Sequence, residues 1–137
     1  LIQNPYLSYR QEVESKIEQL TKPVLHLSIH SFTPTFNEVE RKVDIGLLFD
    51  PERQRELVFC NRLKESLSEL LTGTTILFNE PYRGIDDGFT THLRGKYDDS
   101  SYLGIEIEIS QKYTPDLKAI KKALSIAIDR TMTSDIF

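Results

Sequence analysis

The chain has little of what several function classes require. One cysteine among 137 residues cannot close an internal disulfide, which points to a reducing, cytoplasmic setting. Three histidines beside it are too few for a zinc site of the Cys/His kind, although carboxylates could complete one. No apolar run approaches the roughly 20 residues that cross a bilayer. The first residues also lack the basic stretch and apolar core of a secretory signal. Basic charge is not in excess: 17 Lys and Arg stand against 21 Asp and Glu. A sequence-independent nucleic-acid binder would need a basic face, so that class is excluded. What remains is the balance of one globular domain over residues 1–137. The chain opens on Leu1 and is expected to be a piece of something longer.

Three helices share one starting device. Asn4-Pro5, Asp50-Pro51 and Thr114-Pro115 each set a capping side chain before a proline, which has no N–H to leave unpaired. Apolar residues then recur at helical spacing: Tyr6, Tyr9, Val13, Ile17 and Leu20; then Phe59, Leu63, Leu67 and Leu70; then Leu117, Ile120, Leu124 and Ile128. These stripes predict core faces, with Cys60 a small buried hydrophobe and not a nucleophile. Runs rich in β-branched and aliphatic residues predict strands at Val24–Ser31, Val43–Phe49, Thr75–Phe78 and Tyr102–Ser110. The order is α-β-β-α-β-loop-β-α, an α/β class with a mixed, mostly parallel sheet and flanking helices. The long stretch from Glu80 to Ser101 reads as a functional loop with one short helix at Thr90–Arg94.

Four features carry candidate chemistry. Alternation along the first strand puts His26, Ser28 and His30 on one face. The two histidines lie about 13 Å apart along an extended chain, too far to ligate one metal. His30 stands at a strand end, where α/β sheets place their sites. On the last strand Glu106 and Glu108 share the face opposite Leu103, Ile105, Ile107 and Ile109. A solvated face explains them if the strand is an edge, and a tuned general base if it is covered. The loop from Asn79 to Arg94 offers Arg83 and Arg94 for bidentate recognition of a carboxylate. Asp44, inside an apolar strand, is expected to pair structurally with Arg41 or Arg83.

Together and in this order, five blocks resemble the N-formylglutamate amidohydrolase family, covering nearly the whole chain from Pro5 onward. They are His30-Ser31-Phe32-Thr33-Pro34, Arg41 through Pro51, Asn79 through Gly84, Asp87 through Arg94 and Gly104 through Gln111. That family is similar in turn to zinc carboxypeptidases and aspartoacylase-type deacylases. The resemblance implies a phosphorylase/hydrolase-like fold, expected here to be truncated. It implies zinc as cofactor, with His30 the last of three ligands, and Glu108 as the base that activates a zinc-bound water. Members often carry Gln at the place of Glu106, which favours Glu108; the residues alone leave the pair open. The implied substrate is an acidic acyl-amino acid, N-formyl-L-glutamate, cleaved to formate and glutamate. Arg83 and Arg94 would hold its carboxylates, with Asn79 and Thr91 as lesser candidates.

The other two zinc ligands of the family lie in an amino-terminal region, and nothing before His30 matches it. The chain therefore reads as the carboxy-terminal half of such a catalytic domain. Two other readings stand beside it. One is a related deacylase with another acyl group. The other is a non-catalytic binding or assembly module, self-associating through an exposed sheet edge.

Overall fold

A computed structural model describes residues 4–133 and 135–136. Helix α1 (Pro5–Gln19) begins as its sequence dictates: Asn4 Oδ1 accepts from Tyr6 N at 3.0 Å and Leu7 N at 3.4 Å, with proline at the first helical position. The other two Asx/Thr-Pro pairs do not cap. Asp50-Pro51 makes a turn, in which Asp50 Oδ1 accepts from Glu52 N, and helix α2 (Gln54–Leu70) starts after it with Arg53 at the cap position, its side chain making no cap bond. Thr114 closes a short 3-10 turn (Gln111–Tyr113), and the last helix, α4 (Lys118–Thr131), starts four residues later beside Asp116, whose carboxylate accepts from Lys118 N. In both cases the proline falls in a turn ahead of the helix and another acid serves the helix start: Asp99 Oδ2 accepts from Arg55 N at 3.2 Å in α2, and Asp116 does so in α4.

The strands are β1 (Val24–Phe32), β2 (Thr35–Phe36), β3 (Val39–Glu40), β4 (Ile45–Leu48), β5 (Ile76–Phe78) and β6 (Tyr102–Ser110), with helix α3 (Phe89–Lys96) between the last two. Four of them form one sheet in the order β1-β6-β4-β5. β1 runs parallel to β6 and β4 parallel to β5, while β4 and β6 are antiparallel. The sheet is thus mixed and mostly parallel, as expected for the α/β class. The β2–β3 hairpin was not legible in the sequence. Its two turn residues, Asn37 and Glu38, both take positive φ (50° and 63°). Such turns are usually signalled by Asn-Gly, and glutamate hides the signal. The short helix predicted at Thr90–Arg94 extends to Phe89–Lys96.

β6 is an interior strand, and this decides the reading of its two faces. Leu103, Ile105, Ile107 and Ile109 meet Ile45, Leu47, Phe59, Leu63, Leu67, Ile120 and Leu124, so α2 and α4 cover one face as their stripes predict. The opposite face is covered by α1 and α3, where Ile17, Leu93 and Tyr102 form a smaller apolar cluster. Cys60 is fully buried, and burial pushes its thiol well above the ordinary value, consistent with a hydrophobe's role. The α1 stripe is a core face only at its C-terminal end. Ile17 is buried, whereas Tyr6, Tyr9 and Leu20 are more than half exposed. Among the described residues, no helix is long and apolar enough to cross a membrane.

Candidate active site

Strand register assembles the candidate site. In β1–β6, Ser28 stands opposite Glu106 and His30 opposite Glu108; in β6–β4, Glu108 stands opposite Gly46. Paired residues share a face, so histidine, serine and both glutamates line the side under α1 and α3. A cavity of about 450 Å³ opens there, with His26, Ser28, His30 and Glu106 on its floor and Tyr6 and Phe89 above.

The two glutamates differ in environment. Glu106 is half-buried and accepts from Thr90 Oγ1 at 3.2 Å. Glu108 is buried, and among the described residues its Oε2 has no hydrogen-bond partner. Burial, with the Glu106 charge adding to it and Arg41 opposing it, pushes the Glu108 carboxyl up to about 7. A carboxyl group in that range exchanges a proton readily at neutral pH.

The histidines are separate, as their spacing predicts. His26 Nδ1 shares a 2.7 Å hydrogen bond with the Tyr102 hydroxyl. Burial, with the Arg94 charge as a lesser cause, holds His26 below its ordinary value, which favours the neutral ring. His30 is exposed, its Nε2 2.8 Å from Ser28 Oγ. Among the described residues, no three His, Cys, Asp or Glu side chains gather into a metal site. A zinc ion with three protein ligands does not fit these residues by themselves.

The loop before α3 is built onto β4. A Cβ on Gly46 would overlap the Glu80 carbonyl oxygen, and one on Gly84 would run into the Phe49 backbone. Asn79, in the left-handed region, accepts at Oδ1 from Phe49 N (3.1 Å) and Gly84 N (2.8 Å). Gly46→Ala is therefore expected to displace this loop and lower stability by about 2 kcal/mol. Urea unfolding measures it, and an unmoved midpoint would show that the loop yields freely.

Several loop side chains expected at the substrate are occupied elsewhere. Arg94 is the most fully engaged of them. Its Nε donates to both Glu56 oxygens (3.1 and 3.2 Å), Nη1 to Gly84 O and Nη2 to Gly104 O (each 2.6 Å), and its side chain is only 6% exposed. It braces the fold from inside. Arg83 is exposed and pairs within its own turn, Nε donating to Asp86 Oδ1 at 2.9 Å. Thr91 Oγ1 donates to Asp86 O at 2.6 Å and Gly84 O at 3.3 Å, so it ties the loop to α3. Asp44 pairs structurally, but with Lys112 and the Thr75 N–H, and with neither Arg41 nor Arg83.

Two sequence signals went unread. Glu56 falls on the apolar stripe of α2, three and four residues before Phe59 and Cys60, and a carboxylate on a buried stripe demands partners. It receives the Asp50 and Gly104 N–H groups, each at 3.0 Å, besides Arg94. Arg53 accompanies it, donating to the carbonyls of Tyr102, Arg94 and Tyr97.

The same α/β architecture recurs in the crystal structure of gene product Atu2144 from Agrobacterium tumefaciens. The match has a TM-score of 0.60 and 24% identity over 93% of this chain and 46% of that one. The chain thus spans about half the length of that protein. No curated protein matches it. The family model described as N-formylglutamate amidohydrolase matches residues 1–114, and the chain belongs to that family.

Proposed function

We propose that this chain supplies the general-base side of an amide hydrolysis of the N-formylglutamate type. The observation that carries the reading is Glu108: buried, with one oxygen unpartnered, titrating near neutrality and set opposite His30 across the parallel strands. Glu108 takes a proton from the attacking water and passes it to the nitrogen that leaves as the amino acid. Glu106, held by Thr90, keeps a second negative charge nearby and so keeps Glu108 basic. His30 is the residue here that a zinc ion would use, and its companion ligands would have to come from beyond these residues. The zinc-carboxypeptidase likeness and the formyl group belong to this same proposal.

A second reading has its own observation. The incomplete ligand set among the described residues suits a binding or assembly module, and β1, at the end of the strand order, leaves one edge for another strand.

Purified chain assayed with and without zinc on N-formyl-, N-acetyl- and N-succinyl-L-glutamate separates these readings. Formate release that needs zinc and is lost in His30→Ala would carry the hydrolase reading. Equal rates on all three substrates would remove the formyl preference. No turnover with or without zinc would overturn catalysis by this chain and favour the module.

A further inference from the structure

Resting on that reading of the site, we infer that Arg41 is the residue that grips a carboxylate of the acidic substrate. Its guanidinium sits among three rings, 5.7 Å from the centroid of Phe32, 5.0 Å from Phe36 and 5.3 Å from Tyr82. Aromatic faces hold the flat cation in place and keep water from one side of it. Its protein hydrogen bonds leave from Nη1 alone, to Thr33 O at 3.2 Å and the Tyr82 hydroxyl at 3.4 Å. Among the described residues, Nε and Nη2 have no partner, and Arg41 enters no ion pair. Those two nitrogens form the edge that takes a carboxylate bidentately.

Position agrees with this role. Phe32 ends β1 two residues beyond His30, on the same face, and is 2% exposed. The Arg41 charge is near enough to Glu108 to oppose its upward displacement. The other loop arginines lack this freedom, because Arg94 is bound internally and Arg83 is paired with Asp86. The hairpin supplies the socket: β2 brings Phe36, and Arg41 follows β3 directly, its N–H donating to Pro34 O at 2.8 Å.

The test measures glutarate and its neutral dimethyl ester by calorimetry against wild type, Arg41→Met and Arg41→Lys, with N-formyl-L-glutamate turnover alongside. Thermal melts first establish that each variant is folded. Glutarate affinity is expected to fall about 10- to 100-fold in Arg41→Met. Arg41→Lys should recover part of it, and ester binding should not change. Where turnover is seen, the loss belongs in KM. Turnover with unaltered KM in Arg41→Met overturns this assignment and leaves the hydrolase reading standing. Glutarate binding that needs Arg41 without any hydrolysis does the opposite. Wild type that binds no glutarate overturns the assignment outright.

Discussion

Replacing Glu56 with alanine is expected to lower the stability of the fold by about 3–5 kcal/mol, the range for breaking a buried ion pair from one side. Glu56 is fully buried and holds three groups at once: the Arg94 guanidinium and the Asp50 and Gly104 N–H groups. Its loss strands a cation in the interior and leaves two backbone donors without partners, and each of those losses adds to the cost. Urea unfolding measures the change. The Glu56→Leu/Arg94→Leu double variant is expected to recover part of it, because the Arg94 cation is then removed together with its carboxylate. Equal loss in the single and double variants would place the cost in the backbone donors and not in the ion pair. The brace joins α2, α3, the Gly84 loop and β6 at Gly104, four residues from Glu108, so the damage should reach the site as well.

Glu108→Gln is expected to act in opposite directions on activity and stability. Turnover by the site, if Glu108 is the base, falls about 10²- to 10⁴-fold. Stability rises, but only at higher pH. Glu108 titrates near 7 in the fold against its ordinary 4.5, so the folded state binds its proton more tightly than the unfolded chain. That contribution is fully present below pH 4.5 and is lost as pH climbs through 7. Above that, the wild-type protein carries the full cost of a buried carboxylate, about 3 kcal/mol, and the glutamine variant does not. Melts of both proteins should coincide near pH 4.5 and separate by several degrees at pH 8. A constant separation at both pH values would remove the carboxylate's charge as its cause. Any turnover the site supports should rise through pH 7 as the base sheds its proton, and a flat profile would move that role to Glu106.

How far these features could be read beforehand depends on their range. Strand alternation placed His26, Ser28 and His30 on one face, and the aliphatic run of β6 set its glutamates on the other side from its isoleucines. These are local periodicities and survive folding intact. Whether β6 lay at an edge or inside the sheet was a matter of pairing between distant segments, so the state of Glu108 stayed open until the register was known. The arginines' partners were hidden for a similar reason. Arg94 looks like any loop cation until Glu56, 38 residues earlier, is seen to lie against it. Arg41 drew notice as a partner for Asp44, while its aromatic neighbours arrive from three separate segments. Helix starts were misplaced where proline and a polar residue formed a turn, because the dipeptide signals a change of direction as well as a cap.

The pairing of β1 with β6 also bears on how the molecule is made. Every matched pair along those strands joins residues 78 positions apart, contacts of a kind that form slowly. During synthesis, at about 5–20 residues per second, β1 leaves the ribosome several seconds before its neighbour. Its hydrogen-bonding groups and Leu25 and Leu27 wait unsheltered through that interval. His30 and Glu108 meet only when this last pairing zips up, so a nascent chain holds no half-formed version of the pair.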